Sequence, residues 1–298
     1  YQIDTKEKLY WFADFVNRGG DNAKADARLT ASITVNTGVS DQNDDDGKFA
    51  AWTPVGSTAA PYIGTFEGQG YTINGLYCKL KGDYAGLFGS IGEGGTVQNV
   101  RLARSYFYGD SYVGSVCGQN NGSISGCTNT SAVRGTYNFI GGVCGQNEKG
   151  RITGCTNTAT VTGSFGGSGI GGICGYNRVG SIIGCSNTGA VTGNTHIGGV
   201  CGNNTGILTG CFNEGDATST RRGDATSVGG VAGVHGYGGI MTACYNTGTV
   251  SCTDSNNYYL HIGGVCGAMR GDGAWMIACF NKGTVKNTNG KAGGVCGD

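Results

Sequence analysis

The chain has 298 residues, of which 61 are glycine and 2 are proline, and it carries 20 basic and 20 acidic residues. This composition excludes collagen, which needs glycine at every third position together with abundant proline. Zero net charge leaves no global field that would hold nucleic acid or an anionic membrane. No apolar run reaches the roughly 20 residues that a membrane helix needs, so we expect no membrane insertion.

The first 20 residues predict a helix that caps the N-terminal end of the molecule. Asp4 and Glu7 have the spacing of a capping-box pair, and the segment ends at Gly19 and Gly20. Four apolar residues at helical spacing predict its buried face: Leu9, Phe12, Ala13 and Val16. Such a helix would cover the edge of a sheet that could otherwise recruit another strand.

Residues 21–60 predict irregular early coils around a polar loop over 38–48. This loop contains four aspartates that could coordinate calcium through their oxygens, namely Asp41, Asp44, Asp45 and Asp46. The run lacks the glycine and the terminal glutamate of an EF-hand loop, so a solvated loop is favoured and no cofactor is expected.

From residue 61 to residue 298 the chain is built from repeats of about 27 to 34 residues, a period that predicts a stack of similar units. A first column of small apolar residues lies in short glycine-flanked apolar pairs: Cys117, Cys144, Cys174, Cys201, Ala232, Cys266 and Cys296. A second column follows it by 10 to 13 residues: Cys127, Cys155, Cys185, Cys211, Cys244 and Cys279.

The columns extend backwards without cysteine, because Phe88 and Val100 occupy the two positions one coil earlier and we place Phe66 and Leu76 one coil before them. The positions therefore require an apolar group and not a thiol, which predicts mostly free, buried thiols that act as small hydrophobes. Zinc sites need closely spaced cysteine pairs that the chain lacks, so no metal site is expected.

Each unit predicts three short strands, for example around Ile140 to Cys144, Ile152 to Cys155 and Ala159 to Val161. A circuit of this length suits one turn of a three-sided coil, in which strands of successive turns pair in parallel. The predicted fold is all-β, a parallel β-helix (β-solenoid) of nine or ten coils that is expected to be right-handed.

Asparagine recurs in step with both columns, which predicts side-chain ladders between coils. One set follows the second column by two residues: Asn129, Asn157, Asn187, Asn213, Asn246 and Asn281. The other follows the first column by three: Asn120, Asn147, Asn177 and Asn204.

The segments Gly86-Leu87-Phe88-Gly89 and Gly94-Gly95-Thr96-Val97-Gln98-Asn99-Val100 resemble the GLUG-motif repeat family of bacterial surface and adhesin-like proteins. The stretch Gly64-Thr65-Phe66-Glu67-Gly68-Gln69-Gly70-Tyr71-Thr72-Ile73 looks like the first coil of many extracellular β-helix proteins. This resemblance implies a secreted or cell-surface, non-catalytic protein, whose signal sequence is absent from this chain.

Right-handed β-helices also include polysaccharide lyases and glycoside hydrolases, which use clustered acids. The acids of this chain are sparse, and only Glu214 and Asp216 are neighbours on one predicted strand. A non-catalytic role is therefore favoured over a polysaccharide-active enzyme, and a passive spacer that displays another domain is a further alternative.

Loops of unequal length join the third strand of one coil to the first strand of the next: 134–139, 163–169, 192–196, 217–227 and 251–261. Stacked at one corner, they would form the surface with which repeat proteins usually bind. The predicted ligand is a glycan or a host or other extracellular protein, and the candidate ligand surface comprises Tyr137, Phe139, Phe165, Arg221, Arg222, Tyr258, Tyr259 and His261. We also expect end-to-end self-association at the C-terminal coil, which ends at Asp298 directly after a column position.

Overall fold

The computed structural model describes residues 1–39, 47–164, 167–220, 226–253, 260–287 and 291–298. Helix α1 (Lys6–Asn17) begins the chain and is followed by a 3₁₀ helix over Gly20–Lys24. All remaining regular structure is β, and the strands form a parallel solenoid of about nine turns, as predicted. Each complete turn passes through four sheets, which we number 1 to 4 in the order in which a turn that starts at Val113 enters them.

In the described part of the chain, sheets 1 and 2 each have seven strands. Sheet 1 contains β10 (Val113–Gly114), β14 (Ile140–Gly141), β19 (Ser168–Gly171), β24 (Thr195–Gly198), β29 (Thr226–Gly229), β34 (Leu260–Gly263) and β39 (Lys291–Gly293). Sheet 2 contains β7 (Phe88–Ile91), β11 (Cys117–Asn120), β15 (Cys144–Asn147), β20 (Cys174–Asn177), β25 (Cys201–Asn204), β30 (Ala232–Gly236) and β35 (Cys266–Arg270).

Over the same described ranges, sheet 3 has ten strands and sheet 4 has fifteen. Sheet 3 contains β1 (Gln2–Ile3), β2 (Ala27–Leu29), β4 (Thr65–Glu67), β8 (Thr96–Gln98), β12 (Ser123–Ser125), β16 (Arg151–Thr153), β21 (Ser181–Ile183), β26 (Ile207–Thr209), β31 (Ile240–Thr242) and β36 (Trp275–Ile277). Sheet 4 contains β3 (Ile33–Thr34), β5 (Thr72–Asn74), β6 (Tyr77–Lys79), β9 (Arg101–Gly109), β13 (Thr128–Gly135), β17 (Thr156–Asn157), β18 (Val161–Gly163), β22 (Ser186–Asn187), β23 (Val191–Gly193), β27 (Phe212–Asn213), β28 (Ala217–Ser219), β32 (Tyr245–Asn246), β33 (Val250–Cys252), β37 (Phe280–Asn281) and β38 (Val285–Lys286).

The coils are divided more finely than the three predicted strands. The coil that begins at Ile140 has one strand in each of sheets 1 to 3 and two in sheet 4, β17 and β18. The extra divisions arise at tight corners such as Gly154, where a positive φ of 60° turns the chain between sheets 3 and 4.

The two cysteine columns lie inside the solenoid. Cys117 pairs in register with Cys144, and the first column continues through every predicted member to the bridge between Cys266 and Cys296. All fourteen cysteines of the chain are free. The columns therefore act in packing, as the interchange with Phe88 and Ala232 predicts.

The placement of Phe66 and Leu76 in these columns is wrong. Phe66 pairs with Val97 in sheet 3, and Leu76 precedes the sheet 4 strand β6. Val55 is the residue that bridges to Phe88 in the first column. The interval from Val55 to Phe88 matches the later coils, whereas the interval counted back to Phe66 is shorter than any other repeat.

Both asparagine ladders are present and continuous. In sheet 4 each Asn Nδ2 donates to the Oδ1 of the asparagine one coil further on, at 2.8 Å, from Asn129 to Asn281. In sheet 2 the same bonds run from Asn120 to Asn204 at 2.7 to 2.8 Å. Ladder bonds of this kind fix the register of neighbouring coils, since a shifted coil would leave buried amides without partners.

Helix α1 covers the first coils with the predicted apolar face. Phe12 is buried and packs against Tyr62 and Phe66, with ring centroids 6.1 and 5.8 Å apart. The predicted capping residue is wrong, because Thr5 is the N-cap and accepts a hydrogen bond from the Lys8 amide at 3.3 Å. Asp4 instead forms an ion pair with the Lys8 ammonium at 2.7 Å.

Candidate functional site

One corner of the solenoid, directly before or at the start of sheet 1, holds a column of residues in the left-handed backbone region. This conformation is uncommon for residues other than glycine, yet it recurs here in successive coils. The column comprises Tyr84 (φ 65°), Tyr112 (φ 57°), Phe139 (φ 60°), Gly169 (φ 80°) and His196 (φ 51°). Their alignment follows from the register of the strands beside them, in which Ile140 pairs with Ile170 and Ile170 with Ile197.

The first three members of this column form an aromatic ladder. The rings of Tyr84 and Tyr112 stack with centroids 4.7 Å apart and an interplanar angle of 8°. Phe139 follows Tyr112 at 5.4 Å and contacts Tyr176 of sheet 2 at 5.0 Å, with angles of 55° and 36°. The rings tilt progressively, so the ladder opens towards Phe139.

Gly169 interrupts the ladder and opens a cleft. A Cβ atom at this position would lie 2.9 Å from Phe139 Cδ1 and 3.0 Å from Asn203 Nδ2, so any larger residue would push these walls apart. The resulting cleft has a volume of about 320 Å³. Its lining residues come from sheets 1 and 2 and the turns that follow sheet 2: Phe139, Tyr176, His196, Asn203, Asn204, Thr205, Val234, Tyr237 and Arg270.

His196 forms one wall of the cleft as a neutral imidazole. Its Nδ1 lies 2.8 Å from the Ser168 hydroxyl oxygen. The pKa of His196 is lowered to about 4, mainly by burial and secondly by the Arg270 guanidinium, while the hydrogen bond with the Asn203 amide opposes both more weakly. At neutral pH the cleft therefore contains the positive charge of Arg270 without a second charge from the histidine.

The floor of the cleft is held by the end of the sheet 2 ladder. Asn204 accepts from Asn177 at its Oδ1, so its Nδ2 donates to His235 Nδ1 at 2.9 Å. The opposite nitrogen, Nε2, must then carry the proton and donates to the Trp275 carbonyl oxygen at 3.0 Å. His235 is fully buried, and this chain of hydrogen bonds fixes Asn204 beneath the cleft.

The outer wall of the cleft is accessible to a ligand. Tyr237, also at positive φ, is 72% exposed and stands beside Gly271 in the turn after sheet 2. Arg270 is exposed as well. Rings, amides and a hydroxyl thus surround an opening of the kind that binds small polar molecules with an apolar face.

The structure brings one of the predicted ligand-surface residues into this cleft. Phe139 lines it, whereas Tyr137 is 51% exposed outside it. His261 pairs with Ser227 in sheet 1, away from the lining, with its Nδ1 3.3 Å from Asp298 Oδ2. The other predicted ligand-surface residues lie outside the described part of the chain: Phe165, Arg221, Arg222, Tyr258 and Tyr259.

The predicted unequal loops do begin and end at one corner, because the strands of sheets 4 and 1 that flank them pair in register. They are shorter than predicted. Residues 195–198 form β24 and residues 217–219 form β28, so strand replaces part of the expected loops 192–196 and 217–227.

The aspartate run proposed as a calcium alternative, Asp41, Asp44, Asp45 and Asp46, also lies outside the described residues. Within the described ranges, no group of three or more His, Cys, Asp or Glu residues is arranged to hold a metal ion.

Phe139 was predicted from the sequence, whereas the other cleft residues were missed, although a signal exists for His196. Tyr112, Phe139, Gly169 and His196 each stand five residues before a first-column cysteine. Tyr176 and Arg270 follow first-column cysteines on strands of sheet 2. The alternation of side chains along a strand does not show which residue of sheet 1 lies beside them. The convergence of the two sheets at this corner was not visible in the repeat itself.

Comparison with known proteins agrees with the repeat and the fold. Residues 138–162, a segment that includes Phe139 and the ladder residue Asn157, match the model of the GLUG motif. The chain carries a GLUG motif. The resemblance predicted from the sequence is confirmed by this match.

Similar sequences occur in two larger proteins. The chain is 32% identical to halomucin of Haloquadratum walsbyi over 122 residues, which are 41% of this chain and 1% of halomucin. It is 39% identical over 77 residues to a protein of Evansella cellulosilytica described as a Gly-rich membrane protein, covering 24% of this chain and 9% of that protein. This chain thus spans a small fraction of the length of these relatives.

The fold is similar to that of a solved structure. A protein from Bacteroides ovatus described as an immunoglobulin A1 protease superposes with a TM-score of 0.62 at 18% sequence identity, covering 97% of this chain and 77% of that one. This likeness concerns the β-solenoid alone. No helix in the described ranges of the chain is long and apolar enough to span a bilayer.

Proposed function

We propose that the chain is a non-catalytic, adhesin-like surface protein that binds glycan in the cleft between Phe139, Tyr176 and Arg270. The observation that carries this proposal is the interruption of the aromatic ladder at Gly169, which leaves rings facing an accessible space lined by amides. Sugars present both an apolar ring face and hydroxyl groups, and aromatic side chains with a few fixed polar groups match both features.

The chemistry of the lining supports binding over catalysis. Glycoside hydrolysis generally uses two carboxyl groups about 5 to 9.5 Å apart, and the residues that line the cleft include no aspartate or glutamate. The imidazole of His196 is held between Ser168 and Asn203, and none of the described groups that act on it is a carboxylate that could form a catalytic pair.

A surface location is part of the same proposal. One relative is described as a membrane protein and the other as a halomucin, and this chain corresponds to a small part of each. A rigid, laddered solenoid within a longer surface protein would present the cleft to extracellular glycans or to glycans on a host protein.

A glycan array followed by titration calorimetry tests the binding. We expect the chain to bind a subset of glycans, and Tyr237→Ala to weaken that binding because Tyr237 is an exposed wall of the cleft. Loss of one aromatic contact of about 1 to 1.5 kcal/mol corresponds to roughly five- to tenfold weaker affinity. The matched control is Tyr137→Ala, which removes an exposed tyrosine outside the cleft.

Two results would count against the proposal. Binding that is weakened by Tyr137→Ala and unchanged by Tyr237→Ala would move the site to the loop edge. Absence of binding to every glycan would favour a spacer that displays another domain.

A further inference from the structure

The cleft contains the cation of Arg270, which no acidic side chain in the described ranges pairs with, and this feature indicates which glycans the cleft binds. Resting on the glycan-binding function above, we propose that the ligand is an acidic glycan with a sugar carboxylate bound by the Arg270 guanidinium. The remaining lining residues would then contact the ring and hydroxyl groups of the same and neighbouring sugar units.

The charges around the cleft support this assignment. Arg270 lines the cleft and has no ion-pair partner among the described residues. Arg178, whose carbonyl oxygen accepts a hydrogen bond from the Thr205 hydroxyl at the cleft wall, is by contrast paired with Glu148. The acid nearest to Arg270 along the chain is Asp272. Its backbone carbonyl oxygen accepts a hydrogen bond from the Gly238 amide, and Asp272 is not among the residues that line the cleft.

The state of His196 points in the same direction. Its pKa is lowered to about 4, first by burial and then by the positive field of Arg270. A field that disfavours a proton on the imidazole favours an anion in the same space. At neutral pH the imidazole does not add a charge of its own, so it can contribute to hydrogen bonding with an uncharged hydroxyl.

The geometry of arginine favours a carboxylate in particular. A guanidinium presents two parallel N–H donors that match the two oxygens of a carboxylate, and the two groups form bidentate pairs. Tyr176 pairs in register with Asn203, Asn203 with Val234, and Val234 with Ala268, which is two residues before Arg270, so the aromatic wall and Arg270 lie in coils at opposite ends of the cleft. An oligosaccharide with one ring against the aromatic side chains thus places the carboxylate of a neighbouring sugar unit towards the guanidinium.

The shape of the cleft suits a chain of sugars. Its walls come from successive coils, the first contributing Phe139 and the last Arg270, and parallel strands of neighbouring coils lie about 4.8 Å apart. The cleft therefore runs along the solenoid axis and can follow a linear oligosaccharide across several coils.

A paired glycan array tests the inference. Each acidic glycan, containing uronic or sialic acid, is printed beside its carboxyl-reduced neutral counterpart. We expect binding to acidic members and at least about tenfold weaker binding to their reduced partners, as for the loss of a charge-assisted hydrogen bond of about 1.5 to 3 kcal/mol.

Two arginine variants locate the effect by calorimetry on the best acidic glycan. Arg270→Gln should weaken binding at least about tenfold and remove the preference over the reduced counterpart. Arg178→Gln, which removes an arginine already paired with Glu148, should leave the preference intact.

The outcomes separate this inference from the function on which it rests. Equal binding to acidic and reduced glycans, or an unchanged preference in Arg270→Gln, would overturn the acidic-glycan assignment and leave glycan binding in place. Binding to no glycan on the array would overturn both. Circular dichroism of the variants would show that any loss is not caused by unfolding.

Discussion

Replacement of Asn187 by alanine removes the centre of the sheet 4 asparagine ladder. Asn187 is fully buried. Its Oδ1 accepts from Asn157 Nδ2 at 2.8 Å, and its Nδ2 donates to Asn213 Oδ1 at 2.8 Å and to the Gly189 carbonyl oxygen at 2.7 Å. The substitution breaks all three hydrogen bonds at once.

The cost follows from the groups that are left behind. Asn157 Nδ2 keeps a second acceptor in the Ala159 carbonyl oxygen at 2.8 Å. Asn213 Oδ1 and the Gly189 carbonyl oxygen each lose a donor in a buried place. An unsatisfied buried polar group costs about 1 to 3 kcal/mol, so we expect Asn187→Ala to lower the free energy of unfolding by about 2 to 6 kcal/mol.

Guanidinium denaturation followed by circular dichroism measures this loss, with one m value shared between variants. Thr192→Ala is the matched control, since Thr192 lies half-buried in the next strand of the same coil and pairs in register with Thr162 and Thr218. We expect the control to change stability by less than about 0.5 kcal/mol. A loss below about 1 kcal/mol for Asn187→Ala would refute the idea that the ladder stabilises the stack.

Two further predictions concern buried groups. The pKa of His196 is about 4 in the folded chain and about 6.5 in the unfolded chain. The stability that depends on the neutral imidazole is therefore complete above pH 6.5 and is lost as the pH falls towards 4. Between pH 7 and pH 4.5 the wild type should lose about 2 kcal/mol more of its free energy of unfolding than His196→Gln, and equal losses in denaturation midpoints would contradict this. Cys127→Val should lower the free energy of unfolding by less than about 1.5 kcal/mol, because the same column holds Val100 one coil earlier. A loss above about 3 kcal/mol in the same denaturation assay would show that the thiol itself is required.

The solenoid could be predicted because its physical requirements repeat. Every coil must place an apolar residue in the first column and an amide in the ladder, so Cys144 and Asn157 recur at a period that identifies both the stack and its register. The apolar face of α1 was predictable from helical spacing for the same reason.

The prediction failed where the repeat is irregular. Between Ala51 and Tyr62 the chain contributes single bridges instead of strands. Counting back from Phe88 by too short an interval therefore reached Phe66 and not Val55. At the helix N-terminus, Asp4 and Thr5 are both good capping residues, and the choice depends on the backbone, since Thr5 has the extended conformation of an N-cap.

Apart from Phe139, the cleft was not predicted, because most of its residues do not recur at a fixed spacing. Gly169 replaces an aromatic residue in one coil, and Tyr176 and Tyr237 extend from another sheet and its turn. No spacing rule links these positions, since they meet only where the corner before sheet 1 faces the end of sheet 2.

The most direct measurement is a crystal structure of the chain with the acidic oligosaccharide that binds best on the array. We expect the sugar to lie in the cleft, with a ring against Phe139 and Tyr176 and a carboxylate on Arg270. A sugar bound outside the cleft, for example against Tyr137 at the loop edge, with the cleft empty, would contradict the account.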